Sequence, residues 1–551
     1  MPTINLDRKA FDRELGKKLP DEVLKDRISM IGTDLEQLDD KEIVVEVFPN
    51  RPDMLSMQGF ARAMAAFLDI RPGLREYSVK RSGEKVIIDK SVREVRPYTV
   101  CAIVRSLKLD DEKIKELIQV QEKLHVTFGR NRKKLALGIY PVEKIRFPIT
   151  FFADDPRKIK FRPLESNEEM TGLQILSRHP AGREYAHLLE GKERFPFFKD
   201  ADGKILSMPP IINSHETGKI TSKTTDVFIE CSGFDLNVLQ KCLNMIVTAM
   251  ADMGAEIYSM ELVYPDNKLI TPNLVPEKLR LDIDYINKCL GLKLKEAEVR
   301  KLLRKMGMDV KEGYALIPAY RADIMHQVDL VEDIAIAYGF ENFVEEIPNV
   351  ATIGKESEMS VLIKRIADIL CGLGLLELNT YNLTNKDVQA DKMLANWELV
   401  ELESSVSKEY THLRRWMLPS LLEVFQNNKH NESPQKIFDV GNIFTLNPST
   451  ETGVEERSSL GVAISENDAN YTSIRQILDY LLLNLGLEKK VSIVSMEHKS
   501  FIPGRVGKIL IDKREIGVIG EVHPQVLANF GLETPVGAFE LDLSVISGLI
   551  K

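Results

Sequence analysis

Residues 6–32 read LDRKAFDRELGKKLPDEVLKDRISMIG, and residues 281–307 read LDIDYINKCLGLKLKEAEVRKLLRKMG. At one constant offset, Leu6 and Asp7 match Leu281 and Asp282, Leu15-Gly16 match Leu290-Gly291, Leu19 matches Leu294, and Gly32 matches Gly307. Each copy predicts a short helix ending at Leu-Gly, then a second amphipathic helix stopped by a glycine, the residue that most readily takes the left-handed backbone of a helix end. Each continues into a short apolar strand, IVVEVF at 43–48 and YALIPA at 314–319. A helix entry follows, Asn50-Arg51-Pro52-Asp53 in the first copy and Tyr320-Arg321-Ala322-Asp323 in the second. A closing helix of about 15 residues completes each unit. Two small helical modules are therefore expected, at 1–75 and 271–345. Modules of this shape recur in nucleic-acid proteins, but shape alone establishes no contact.

Between the copies, residues 85–265 are rich in short strands (TVCAIVRSL, KLALGIY, VFIECSG) punctuated by Pro and Gly, with a long helix near 235–253. After the second copy, IPNVATIGKESE reads as a linker. Residues 358–551 then alternate helices (MSVLIKRIADILCGLG, SIRQILDYLLLNLG) with runs of adjacent strands such as KIFDVGNIF, SLGVAIS and GAFELDL. That order favours an antiparallel sheet over a doubly wound parallel one. The expected fold class is a multidomain α+β protein of about four units, in keeping with roughly 100–200 residues per domain.

Composition narrows the function. The 551 residues are 44% hydrophobic and 28% charged, which excludes a disordered scaffold or a fibre. A net charge of −9 argues against a protein coated all over for phosphate binding and leaves room only for a local basic stripe. The five cysteines, Cys101, Cys231, Cys242, Cys289 and Cys371, are scattered and form no CxxC pair, the pattern of thiols in a reducing compartment. The first residues hold no apolar signal core, and no run approaches 18 apolar residues, so a soluble cytoplasmic protein is expected. No P-loop occurs, since Gly191-Lys192 and Gly218-Lys219 are followed by Glu193 and Ile220. A complete dinucleotide fingerprint, HExxH and G-x-S-x-G are also missing.

Three constellations carry possible chemistry. In PAYRADIMHQVDLVEDIAIAYGF, Asp329, Glu332 and Asp333 stand at i, i+3 and i+4, with Asp323 at the helix entry. Like charges so close call for a cation or a basic partner, and hard oxygen ligands without His or Cys favour Mg²⁺; an acidic first turn complementing the helix dipole is the competing explanation. In the first copy Gly59, Arg62 and Ala63 stand where the second has Asp329, Glu332 and Asp333, while Asp53 matches Asp323. Asp323 is thus partly a structural entry residue. The second constellation, at 206–235, offers Asn213, Ser214, His215, Glu216 and Thr217 after Pro209-Pro210, then Thr224, Thr225 and Asp226 before the buried strand VFIEC. Polar groups on loops beside strands suit recognition and hydrolysis of a small polar ligand, or simply a polar pair of turns. The third is GRNRKK at 129–134, a phosphate-binding candidate or a solvated charge run.

Taken together these segments resemble the phenylalanyl-tRNA synthetase β-subunit family in its archaeal-type form. FPNRPDMLSMQGFARA at 48–63, KILSMPPIINSHETGKIT and TTDVFIECSGFD in the middle, and YRADIMHQVDLVEDIAIAYGF at 320–340 carry the likeness, joined by HLRRWMLPSLLEVFQNN at 412–428, FIPGRVGKILI at 501–511 and IGEVHPQVLANFGL at 519–532. The resemblance implies an α₂β₂ enzyme that attaches phenylalanine to tRNA(Phe) with ATP, its working active site on the α subunit. It implies winged-helix-like modules, a B3/B4-type editing domain at 85–265, a B5-type module at 271–345, and a catalytically degenerate class II core at 358–551. No aminoacylation residue is expected on this chain, since the segment after Arg414-Arg415 leads to KIFDVGNIF without an arginine-x-glutamate pair. The likeness also implies Mg²⁺ at Asp323, Asp329, Glu332 and Asp333, at or near the α-subunit interface. The last position is often Glu in bacterial relatives, and Asp333 has the shorter reach.

For the editing domain, the likeness implies hydrolysis of tyrosine mistakenly attached to the tRNA, a second sieve suited to an analogue that adds only a hydroxyl. Glu230 and Asp226 are the candidate hydroxyl acceptors, with Asn213, Ser214, Thr217 and Thr225 shaping the pocket. The longer bacterial form carries an oligonucleotide-binding insertion and a C-terminal anticodon module that are not evident here, so tRNA contact is expected elsewhere, around Arg130, Arg132, Lys133 and Lys134. A non-catalytic nucleic-acid-binding or assembly scaffold and a stand-alone aminoacyl esterase are the alternatives. Co-purification with a partner carrying class II motifs separates them from the ligase subunit.

Overall fold

The described residues of the computed structural model are 2–351 and 353–549; Thr352 of the linker and the residues at the two ends lie outside them. The chain divides into two units, 1–347 and 348–551. It is a multidomain α+β protein, and among the described residues no helix is long and apolar enough to cross a membrane.

The repeat is written into the backbone of the first unit. In the first copy, strand Thr3–Asp7 leads to helices Arg8–Leu15 and Asp21–Met30, strands Thr33–Leu38 and Glu42–Val47, and helix Met57–Phe67. In the second, strand Glu277–Arg280 leads to helices Ile283–Leu290 and Glu296–Lys305, strands Asp309–Lys311 and Tyr314–Ile317, and helix Gln327–Tyr338. Each forms a three-stranded sheet with its last strand in the middle. The local signals repeat as well. Asp7 accepts from the Ala10 amide (2.7 Å) and Asp282 from the Tyr285 amide (3.0 Å), each capping its first helix. Gly16 and Gly291 end those helices at φ of 83° and 68°. The sequence predicts one strand per copy, whereas three are present. The two it misses in each copy are short and half exposed, so neither shows a full hydrophobic alternation. The closing helices have 11 and 12 residues rather than 15.

Between the copies, strands from Val79 to Thr271 build a ten-stranded, mostly antiparallel sheet. Its strand Val227–Gly233 lies between Tyr98–Arg105 and Leu135–Pro141 and is buried along its whole length. Helix Leu236–Asp252 packs on this sheet, and its apolar side shares a core with Phe60 and Met64 of the first copy. The second copy has a core of its own around Ile286, Leu303, Ile317 and Leu330.

The second unit has a seven-stranded sheet, antiparallel except where Leu376–Leu378 joins Gln435–Leu446. Side chains alternate between its faces, so Phe438, Val462 and Phe539 enter one core while Ile437, Ala463 and Ala538 enter another. Helices Glu358–Gly372 and Tyr471–Asn484 cover the first, and Leu418–Asn427 and Pro524–Asn529 the second.

Candidate functional site

A cavity of about 610 Å³ opens in the first unit between helix Asp111–Val126, strands Leu135–Pro141 and Val227–Gly233, and the Pro209-Pro210 corner. Its walls are mainly apolar, with Ile114, Ile118, Ile139 and Ile212 among them, and a carboxyl group, Glu230, lines it. Strand register explains how this carboxyl fits. Glu230 lies opposite Gly138, where a Cβ would stand 2.7 Å from Glu230 Oε1 and 2.3 Å from the Tyr140 hydroxyl. Tyr140 has one hydroxyl hydrogen for two acceptors, Glu230 Oε1 (3.3 Å) and Asn213 Oδ1 (3.2 Å). Burial pushes the Glu230 carboxyl up to about 8, against the opposing pull of the Arg96 guanidinium and the Tyr140 hydroxyl. At neutral pH the group is mostly uncharged and able to donate or accept, with Ser232 beside it as a further hydrogen-bonding neighbour.

Histidines border the same cavity. His125 Nε2 accepts from the Leu137 amide (2.8 Å), which leaves Nδ1 to donate to Glu122 (3.2 Å). Burial lowers the imidazole pKa in spite of that carboxylate. Burial also works against ionisation of Glu122, but His125 and Arg132 outweigh it and hold the group at about 2. His179 Nε2 meets the Leu164 carbonyl at 3.0 Å, and Nδ1 of both His179 and His215 is buried without a partner. Imidazoles and a largely neutral carboxyl bordering one apolar cavity are the few convergent polar groups that suit a polar ligand.

Of the six residues expected to shape a hydrolytic pocket, Asn213 and Glu230 line this cavity. Ser214 caps the short helix His215–Gly218, and Thr217 Oγ1 lies 3.4 Å from the Ile205 carbonyl. Thr225 is exposed, while Asp226 accepts from the Ser106 amide and faces Arg105 at 3.7 Å. Neither lines the cavity. Tyr140 and Gly138 carry no linear signal, because register across strands far apart in sequence sets them beside Glu230, and His125 and His179 reach the same cavity from helical segments.

The basic run splits. Arg130, Asn131 and Arg132 take left-handed φ values of 48°, 52° and 63°, and the turn sends Arg132 into the cavity wall. Arg132 donates to Glu122 (3.0 Å) and to the Ile211 carbonyl (2.9 Å), with its guanidinium over the Tyr185 ring. Arg130, Lys133 and Lys134 remain exposed.

The acidic helix also divides its charges. Arg321, 1% exposed, forks onto both oxygens of Asp323 (2.8 and 2.7 Å) and reaches Asp333 at 2.8 Å. Asp329 accepts from the Met325 and His326 amides at 2.7 Å each, and Glu332 is exposed. Successive residues turn by about 100° around a helix, so Asp333 faces inward and Glu332 outward. The expected four-carboxylate ligand set is therefore not assembled: Asp323 and Asp333 neutralise an arginine, which by its charge repels a cation. Among the described residues, the one set of three carboxylates whose oxygens gather within 4.8 Å is Asp34, Glu36 and Glu46, two exposed and one half-buried, which could hold a metal ion.

In the second unit Arg414 is buried and turned onto strand Gln435–Leu446. It donates to the Asn442 carbonyl (2.8 Å) and faces Asp439 at 3.4 Å, crossing Gly441 where a Cβ would stand 2.0 Å from its Nη2.

Comparison with known proteins gives concordant results. The family model described as the phenylalanyl tRNA synthetase beta chain CLM domain matches residues 344–543, and the tRNA synthetase B5 domain matches residues 279–340. The phenylalanine–tRNA ligase beta subunit of Pyrococcus horikoshii is 41% identical, the alignment covering 98% of this chain and 99% of the relative. That of Archaeoglobus fulgidus is 39% identical over 99% and 98%. A crystal structure of an N-terminal fragment of the Pyrococcus horikoshii β subunit superposes with a TM-score of 0.58 at 39% identity, covering 61% of this chain and 99% of the fragment.

Proposed function

Since this chain belongs to the phenylalanine–tRNA ligase β-subunit family, we propose a division of labour within it that follows from the cavity and from the second unit. The chain is the β half of an α₂β₂ ligase that attaches phenylalanine to tRNA(Phe) with ATP; its near full-length match to archaeal β subunits carries that conclusion. In this proposal the aminoacylation site, and with it ATP, belongs to the α subunit. Arg414 supports the reading, because this buried guanidinium is already paired with Asp439 and a backbone carbonyl. The second unit would then be a class II-like core without chemistry, and the two repeat copies winged-helix-like modules.

The cavity is the proposed editing site, hydrolysing the ester of tyrosyl-tRNA(Phe). The Glu230 carboxyl supports this, since it lines the cavity as a buried, largely neutral group that a tyrosyl hydroxyl could hydrogen-bond and phenylalanine could not. An unsatisfied buried polar group costs about 1–3 kcal/mol, enough for roughly ten- to hundredfold discrimination. Asn213 and Tyr140 would hold the carboxyl in place, with Arg132 fixing the Pro209-Pro210 wall. Arg130, Lys133 and Lys134, exposed beside the cavity wall, would meet tRNA phosphates. Of the acidic helix, only Asp329 and Glu332 remain open to Mg²⁺, and no step is assigned to the ion. The test is a Glu230→Ala β subunit in the reconstituted ligase. Hydrolysis of tyrosyl-tRNA(Phe) should fall about tenfold or more with phenylalanylation unchanged; undiminished hydrolysis would refute the assignment.

A further inference from the structure

The seam between the two repeat copies contains a second cavity, of about 360 Å³, with a different character. Five guanidiniums line it, those of Arg51, Arg62, Arg71, Arg75 and Arg321, against the single carboxylate of Asp53. Arg51 and Arg321 hold equivalent positions in the two copies and are close enough for their charges to repel. Three more carboxylates stand behind the arginines: Asp323 and Asp333 on Arg321, and Asp252 on Arg62 (2.6 Å) and Arg75 (3.1 Å). Four carboxylates thus face five guanidiniums, and the surplus is positive.

The donors are only partly used. Arg51 gives Nε and Nη2 to Asp53, at 2.9 Å each, and makes no further hydrogen bond among the described residues. Arg62 uses Nη1 alone, on Tyr77 and Asp252, with its guanidinium 3.9 Å from the centre of the Tyr320 ring. No nitrogen of either is sealed from solvent without a partner, so the spare donors open to the cavity. Arg51, Arg62 and Arg321 are buried, whereas Arg71 and Arg75 are exposed and form a rim. Burial keeps water from screening the inner charges, and guanidinium forks match phosphate oxygens.

We propose that this seam is a binding site for a phosphate-type oxyanion, held by Arg51 and Arg62 and admitted past Arg71 and Arg75. A multiply charged oxyanion suits five guanidiniums, because Asp53 already supplies the one carboxylate that Arg51 needs. The chemistry is shared by a backbone phosphate of RNA and by free phosphate or pyrophosphate.

The experiment follows hydrogen exchange in residues 61–77 of the reconstituted ligase, with inorganic phosphate, pyrophosphate or tRNA(Phe) added at matched ionic strength in chloride. Exchange should slow with phosphate or pyrophosphate, and binding should weaken about tenfold or more in the rim variant Arg71→Gln/Arg75→Gln, in which Asp252 loses Arg75 but keeps its buried pairing with Arg62. Arg75→Lys, which keeps the charge, should retain most of the effect. Stronger protection by tRNA(Phe) than by either free anion marks a backbone phosphate as the occupant; protection by the free anions alone marks a soluble one. No protection by any of the three, or protection unchanged in the rim variant, overturns the proposal.

Discussion

Glu230 and Glu540 share a physical predicament although they lie in different units. Each is buried, and burial pushes each carboxyl up to about 8. Glu540 accepts from the Met417 and Leu418 amides and from the Ser459 hydroxyl, which moderate the rise. An acid whose pKa is higher folded than unfolded contributes stability that is complete below the unfolded value, near 4.5, and disappears as pH rises through the folded value. A shift of this size amounts to about 4–5 kcal/mol. Glu540→Gln is therefore expected to flatten the loss of stability of the second unit between about pH 4.5 and pH 8, as read from urea midpoints, and parallel pH profiles for variant and wild type would refute it. The same scale shows how the charges of the acidic helix divide. Spacing of i, i+3 and i+4 brings Asp329, Glu332 and Asp333 near one another, but the buried arginine that claims Asp333 stands 12 residues earlier, and nothing in the spacing reveals it.

At the scale of elements, much of the fold was legible wherever the signal was local. The caps at Asp7 and Asp282, the stops at Gly16 and Gly291 and the helix over 236–252 all rest on short-range rules. The edge strands of the repeats were not legible, and neither was most of the cavity. Its parts come together by pairing across 90 residues or more: Glu230 meets Gly138 and Tyr140 only because Val227–Gly233 lies beside Leu135–Pro141. Gly138 is where this pairing can be probed. A methyl group there has no room between the Tyr140 hydroxyl and the Glu230 carboxyl. Gly138→Ala should destabilise the first unit by about 1–3 kcal/mol and slow tyrosyl-tRNA hydrolysis while phenylalanylation persists. Wild-type stability and hydrolysis in that variant would contradict the register argument.

For the whole molecule, a net charge of −9 coexists with strongly positive local features: the exposed Arg130, Lys133 and Lys134, and the arginine-lined seam. An acidic protein can still serve RNA when its positive charge is concentrated where the phosphates lie. Each unit has its own core, so changes at the Glu230 cavity need not disturb the second unit's sheet. The central claim is that this chain is half of a ligase whose attachment chemistry resides on its partner. Phenylalanine-dependent exchange of pyrophosphate into ATP, measured with the chain alone and with the α subunit added, tests it most directly. The account predicts no exchange by the chain alone and exchange once α is present; exchange by the isolated chain would contradict it.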